Sequence, residues 1–326
     1  MNRLLSCLAF GALPALGMAS DLNLSIESGG QNSITVSPGQ VVSYDLVGEL
    51  SDSLNEGLAL FVVDLSMPGA TLTPMATPTA GNMAGFAAPL GVNNPAGYGG
   101  TQSGSALKQV GGMQNTIKSS FAPKPTGSVV TGIAQPGSPE VLASGTVMAP
   151  TQHGTYTLSA SNVLANIIRQ GETGSPSWFC DAAGLGTSTG LDVTVESLSQ
   201  SVGSLSLAAG GAVNFSLDGG LGSAGSLYFM LASGTGTTPG IAIDGLTLDL
   251  VFDSLLVYTL TNPNMAPYAG TFGALDSFGM GSASVTIPAG FMPGLAGAAI
   301  HHAFIVIGGT GTVTLTSNPV SLNLLP

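Results

Sequence analysis

The chain has 326 residues, of which 44% are hydrophobic and only 7% charged, with 48 glycines and 20 prolines. Its formal net charge is −12, from five basic and 17 acidic side chains. That balance excludes charge-driven binding to nucleic acid or to anionic lipid headgroups, because both need Lys and Arg against phosphate. The apolar content excludes a disordered polyanion, and the lack of a G-X-Y period excludes collagen.

In chain order, the first element is an N-terminal leader. Arg3 supplies a positive start, residues 4–16 are apolar with a break at Pro14, and Gly17-Met18-Ala19 places small residues before Ser20. This is the pattern of a secretory signal peptide over residues 1–19. Its removal would take Cys7 and leave Cys180 as the one cysteine, so no internal disulfide forms and an apolar core has to hold the fold. Cys180 is expected as a buried small hydrophobe. No run in the sequence reaches the roughly 18 apolar residues of a membrane span.

Residues 20–197 read as one β-domain. Ser33-Ile34-Thr35-Val36 precedes the turn Ser37-Pro38-Gly39. Residues 40–50 alternate, with Val42, Tyr44 and Leu46 on one face and Val41, Ser43 and Asp45 on the other. Residues 58–65 form an apolar run. Between 67 and 127 the prolines 74, 78, 95, 123 and 125 break any long element, and this is the place for recognition loops. Residues 103–110 suggest one short helix. Strands resume at 128–134, 141–148 and 154–159, while 162–169 suits either a helix or a strand.

Residues 198–326 read as a second β-domain and contain no Lys or Arg. Ser204-Leu205-Ser206-Leu207, a glycine turn and the alternating run 212–218 repeat the opening of the first domain, which suggests a similar hairpin in each. Val213, Phe215 and Leu217 share one face. Leu246, Leu248, Leu250 and Phe252 alternate with Thr247, Asp249, Val251 and Asp253, as in a half-buried strand, with residues 255–260 continuing it. Asp276-Ser277-Phe278-Gly279 reads as a hairpin loop. The last strands are expected at 300–307 and 312–316, with Pro319 confined to an edge or turn. The fold class is therefore all-β, with two antiparallel β-sandwich domains of jelly-roll or immunoglobulin-like type.

Few residues suggest chemistry. Gly220 to Gly225 spell G-x-G-x-x-G, but an apolar strand follows where a phosphate site needs a helix, so this is a loop. Ser105-Ala106-Leu107-Lys108 spells S-x-x-K without the companion motifs of an acyl-enzyme. His301 and His302 are neighbours in a strand and point to opposite faces, so one is expected in the core and the other at the surface, not both on one metal. No metal site is assigned. Calcium is the possible cofactor, through Asp45, Asp64 and Asp192 or through Asp244, Asp249 and Asp253. Trp178 and Phe179, in a loop rich in Gly, Ser and Pro, and Tyr98 in another are the candidate ligand-binding residues, as flat aromatic platforms for sugar rings. No catalytic residue is assigned.

Two resemblances add to this. Residues 205–217, Leu260-Thr261-Asn262-Pro263-Asn264, Pro293-Gly294-Leu295-Ala296-Gly297, Ile300-His301-His302-Ala303-Phe304 and Ser317-Asn318-Pro319-Val320 resemble a C-terminal β-domain of secreted planctomycete proteins, which implies export but no activity. Val36-Ser37-Pro38-Gly39-Gln40, the run 61–65 and Gly154-Thr155-Tyr156-Thr157-Leu158 resemble the cohesin-like and carbohydrate-binding sandwiches of bacterial extracellular proteins. That resemblance implies a secreted or cell-surface, non-catalytic protein whose partner is an extracellular protein module or a glycan. A structural envelope or matrix component is the alternative. A polysaccharide hydrolase would need a carboxylate pair from among Glu140, Glu172, Asp181 and Glu196.

Overall fold

The computed structural model describes residues 20–74, 86, 97–114, 130–171 and 180–326. The leader at 1–19, Trp178, Phe179, Lys118, Lys124 and Glu172 lie outside the described residues. The first half contains β1 (Asp21–Glu27), β2 (Ser33–Val36), β3 (Val41–Leu50), β4 (Asn55–Ser66), β5 (Thr71–Thr73), β6 (Thr101–Ser103), β7 (Ala106–Met113), β8 (Glu140–Met148), β9 (Gly154–Arg169), β10 (Cys180–Thr189) and β11 (Leu191–Val195). They pair in the order β5-β8-β3-β1-β10-β9-β4-β7-β6, with β11 bridging β9 to β2. These strands share one core that includes Leu22, Leu46, Phe61, Leu65, Leu158 and Val193.

Local pattern explains the strands. In β3 the alternation places Val42, Tyr44 and Leu46 inside and leaves Val41 and Ser43 exposed, as expected. β4 is buried on almost every residue, which accounts for its unbroken apolar run. The helix expected at 103–110 is not formed. That segment turns at Gly104 and makes β6 and β7, because Ala106 and Leu107 pair with Ser66 and Leu65 of β4. Residues 162–169 complete the long strand β9.

Asp64 organises the irregular part of this half. Its carboxylate accepts from Lys108 Nζ at 3.0 Å, the Gln109 N–H at 2.8 Å and Asn162 Nδ2 at 2.8 Å. Gln109 and Asn162 both have positive φ, at 59° and 51°. The carboxylate thus ties down two backbone irregularities where β7 and β9 meet β4. Burial raises its proton affinity, but the bonds from Asn162, Gln109 and Lys108 outweigh this and hold it below the usual carboxylate range.

Tyr44 is buried, and its hydroxyl has no hydrogen-bond partner among the described residues. Burial pushes its ionisation up. A desolvated, unpaired hydroxyl costs stability, so Tyr44→Phe is expected to stabilise the chain by about 1 kcal/mol in denaturant titration. A destabilisation would show that the hydroxyl is satisfied.

The second half contains β12 (Leu198–Gln200), β13 (Ser204–Ser206), β14 (Gly211–Asp218), β15 (Leu227–Ser233), β16 (Ile241–Ile243), β17 (Leu246–Leu248), α1 (Ser254–Thr261), β18 (Tyr268–Ala269), β19 (Phe272–Ala274), β20 (Met280–Ile287), β21 (Ala299–Ile307), β22 (Val313–Thr316) and β23 (Val320–Leu325). Sheet β12-β14-β20-β18 faces sheet β13-β23-β21-β15-β19, to which β22 is added through β21. Val213, Phe215 and Leu217 from one sheet meet Met230, Phe304 and Val306 from the other. The outer face of β15 and β21 is covered by Leu248, Leu250 and Leu256, so both strands are buried on two sides.

Several expectations change. The opening turns of the two halves are not hairpins, since β2 pairs with β11 and β13 with β23. Each turn carries the chain to different partners. The loop at 276–279 likewise joins β19 and β20, which belong to different sheets. The pairings β1–β10, β2–β11 and β13–β23 are parallel, so neither half is purely antiparallel. Residues 255–260 are helical: the strand of alternating residues ends at Leu248, and Asp253 caps α1 through the Leu256 N–H.

No ladder among the described residues joins β1–β11 to β12–β23. The halves meet at a seam. At its root Asn318 Oδ1 accepts from the Ser197 and Leu198 N–H groups at 2.8 and 3.0 Å, and Asn318 Nδ2 donates to Leu198 O at 2.8 Å. Gly220, with φ +71°, lies against the first half so closely that a Cβ there would sit 2.2 Å from Pro38 O. Only glycine suits both the backbone and the approach.

Candidate functional site

The seam opens into a cleft of about 850 Å³, lined from both halves. The first half contributes Val41 and Met148, which are cross-strand partners on β3 and β8. The second contributes Leu221, Phe278 and Met280. All five are exposed large apolar side chains, Leu221 at 73% and Phe278 at 68%. Their convergence on one cleft makes it the candidate site.

Two short turns present Leu221 and Phe278. Asp218 Oδ1 accepts from the Gly220 N–H at 2.8 Å and starts the 3-10 turn Leu221–Ser223. Asp276 Oδ1 accepts from the Phe278 and Met280 N–H groups at 2.8 and 2.9 Å, which holds Phe278 at the tip of its turn. Polar groups on the lining are the Gln40 amide and several hydroxyls, among them Ser37, Thr151 and Thr314, and Asp218 is the one charged lining residue among the described residues. A recess of about 270 Å³ shares Ser37, Gln40, Asp218 and Met280 with this cleft and adds Glu196.

The residues expected from sequence fall elsewhere. Tyr98 is not an exposed platform. It is 4% exposed, packs edge-on against Phe61 with ring centroids 5.8 Å apart, and donates its hydroxyl to Leu142 O. Phe86 is buried beside it. Both are needed to fill the core, because β4 brings a large apolar face to this end of the half. Trp178 and Phe179 lie outside the described residues. Phe278, an exposed aromatic, was legible only as a turn residue; the signal that could have found it is a large apolar side chain in a tight turn, where the core cannot take it.

The carboxylates expected for calcium are not brought together. Asp45 accepts from Ser144, Asp64 from Lys108, Asp192 from Thr157 and Asp244 from the Val313 N–H. Asp249 faces His153, and Asp253 caps α1. Among the described residues no three His, Cys, Asp or Glu side chains form a metal-binding group. Of the hydrolase candidates, Asp181 is bound by Arg169 at 2.7 and 3.0 Å, and this contact holds its carboxyl below the usual range. Glu196 lines the recess with Asp218 but stands in solvent.

His302 is fully buried and His301 half-buried, as the strand period requires. Cys180, expected in the core, is half-buried at the start of β10. No described helix is long and apolar enough to cross a membrane, which says nothing of a β-barrel.

No protein-family model matches the sequence, and no curated protein sequence matches it. Solved structures similar to the chain are β-modules. The sixth cohesin of scaffoldin B from Acetivibrio cellulolyticus, solved with a Cel5 dockerin mutant, is 13% identical over 54% of this chain and 99% of its own, with a TM-score of 0.33. A non-cellulosomal cohesin from Archaeoglobus fulgidus is 11% identical over 54% of this chain and 92% of its own, with a TM-score of 0.31. A 35 kDa fragment of the major pilin GBS80 from Streptococcus agalactiae is 10% identical over 93% of this chain and 90% of its own, with a TM-score of 0.28. Likenesses of this degree carry no argument about partner or activity.

Proposed function

We propose that the chain is an exported, non-catalytic binding or assembly module that takes an apolar segment of an extracellular partner protein in the cleft between its halves. The observation behind this is the convergence of Val41, Met148, Leu221, Phe278 and Met280 on one cleft with a single charged residue, Asp218. The five exposed apolar side chains offer burial to apolar residues of a protein segment, and Gln40, Asp218 and the lining hydroxyls offer hydrogen bonds to its backbone. Export accords with the leader pattern at residues 1–19. The low charge accords with binding by burial rather than by ion pairing.

A pull-down from the extracellular protein fraction, run beside a glycan array, tests this. Phe278→Ser and Leu221→Ser, both at exposed sites, are expected to weaken capture at least about tenfold, since each removes about 1.5–3 kcal/mol of buried apolar contact. Unchanged capture, or binding to glycans alone, would overturn the cleft as the protein-binding site. A polysaccharide-hydrolysis assay covers the rival reading, and sugar release abolished by Glu196→Gln would establish an enzyme instead.

A further inference from the structure

We propose that His153 is a protonation-sensitive latch between the two halves. Its Nδ1 lies 3.0 Å from the Thr316 carbonyl oxygen, and its Nε2 lies 3.0 Å from Asp249 Oδ2. Both partners belong to the second half, whereas His153 belongs to the first. A carbonyl and a carboxylate oxygen only accept, so each ring nitrogen has to donate. A neutral imidazole has one N–H and the imidazolium has two. Both bonds therefore form together only when the ring carries its second proton. Loss of that proton leaves a nitrogen lone pair facing either the carbonyl or the carboxylate, and the seam loses one bond and its ion pair.

Among the described residues, no other titratable side chain around the ring is free to replace these partners. The segment 149–153 has no other titratable residue, and β22 has none at all. The turn 249–253 carries Asp249 and Asp253, and Asp253 is occupied by Ser233, Gly234, Thr235 and Leu256. Tyr156 spends its hydroxyl on Gln152 O at 3.0 Å. A neighbouring bond across the seam, from Gln152 Nε2 to Thr314 O at 3.2 Å, does not titrate. Thr151, Thr314 and Leu315 line the cleft, so the latch runs along its wall. Protonation would hold the wall closed, and deprotonation would let the halves part there while Asn318 still pins the root. The latch follows from the seam's hydrogen bonds alone and stands whether or not the cleft takes a partner.

Spin labels on the exposed residues Ser138 and Thr310, one in each half, read the distance directly in a full chain whose Cys7 and Cys180 are replaced by serine. At about pH 5.5 a narrow distance distribution is expected, and at about pH 8.5, beyond the ordinary histidine range, a broader one. In Asp249→Asn the side-chain amide can donate to a neutral ring or accept from a charged one, so the narrow distribution is expected at both pH values. His153→Phe is expected to be broad at both. Identical wild-type distributions at the two pH values, or an Asp249→Asn chain that follows the wild-type response, would overturn the latch.

Discussion

Acidification from about pH 7 to about pH 5 is expected to take about 2 kcal/mol from the stability of the wild-type chain, and His302→Phe to remove most of that loss. His302 is fully buried between Phe215, whose ring centroid is 4.6 Å away, and Tyr268. Its Nε2 is 3.3 Å from the Tyr268 hydroxyl, and its Nδ1 has no partner among the described residues. Burial, with a smaller contribution from His301, pushes its pKa down to about 3. The folded chain therefore keeps this ring neutral at pH values where the unfolded chain, with the ordinary value of 6.5, takes up a proton. Stability is complete above the unfolded value and falls by about 1.4 kcal/mol for each pH unit below it, until the folded value is reached.

Denaturant titrations of wild type and variant across this range give the measurement. His302→Leu serves as a second variant if phenylalanine overpacks the site. Parallel pH curves for wild type and both variants would show that the ring is not the source. The depressed carboxylates act at lower pH. Asp52, Asp64, Asp181 and Asp253 all lie below the usual value of 3.8, so their contribution is present above it and lost as pH falls through their lowered values. These carboxylates therefore do not account for a loss between about pH 7 and about pH 5.

Replacing Asp253 by alanine is expected to cost about 3 kcal/mol, with asparagine costing roughly half as much. Oδ1 caps α1 through the Leu256 N–H at 2.9 Å. Oδ2 accepts from Ser233 Oγ at 2.9 Å, the Gly234 N–H at 2.8 Å, and Thr235 through its N–H at 3.1 Å and its hydroxyl at 2.9 Å. One carboxylate thus joins the end of β15 to the start of the helix that covers it. Alanine would leave the buried Ser233 hydroxyl with Thr235 as its one remaining partner and open the first turn of α1. Asparagine keeps one acceptor oxygen. Thermal melts of the three chains decide, and a loss below about 1 kcal/mol for alanine would mean that solvent replaces these bonds.

The helix at 254–261 shows how far the sequence was legible. Its residues read as a continuing strand because the alternation from Leu246 to Phe252 has period two. The N-cap aspartate, Asp253, also fits the polar positions of that alternation, so the period hides the cap. Residues 103–110 failed in the opposite direction: helix-compatible residues became strands because β4 offered open hydrogen-bonding partners. Local preference is worth tenths of a kcal/mol per residue, and long-range pairing overrides it.

The site was less legible than the fold. Trp178, Phe179 and Tyr98 are aromatic side chains in glycine-rich segments, yet Tyr98 fills the core. The cleft draws on residues 37–41, 148–151, 218–226, 278–280 and 308–315, none of which stands out alone. Exposure is a property of what a residue fails to meet, and sequence does not state it.

By itself the sequence determined the all-β class, the inward faces of β3 and β14, and the opposite fates of His301 and His302. Each of these follows from side chains alternating along an extended backbone. Tertiary structure alone decided which strands pair, which turns cross between sheets, and that Pro38 and Gly220 meet at van der Waals range. It also decided that His153 would find two acceptors from the other half. Partner choice depends on contacts between residues far apart in the chain, 96 and 163 positions for those of His153, and no local period encodes them.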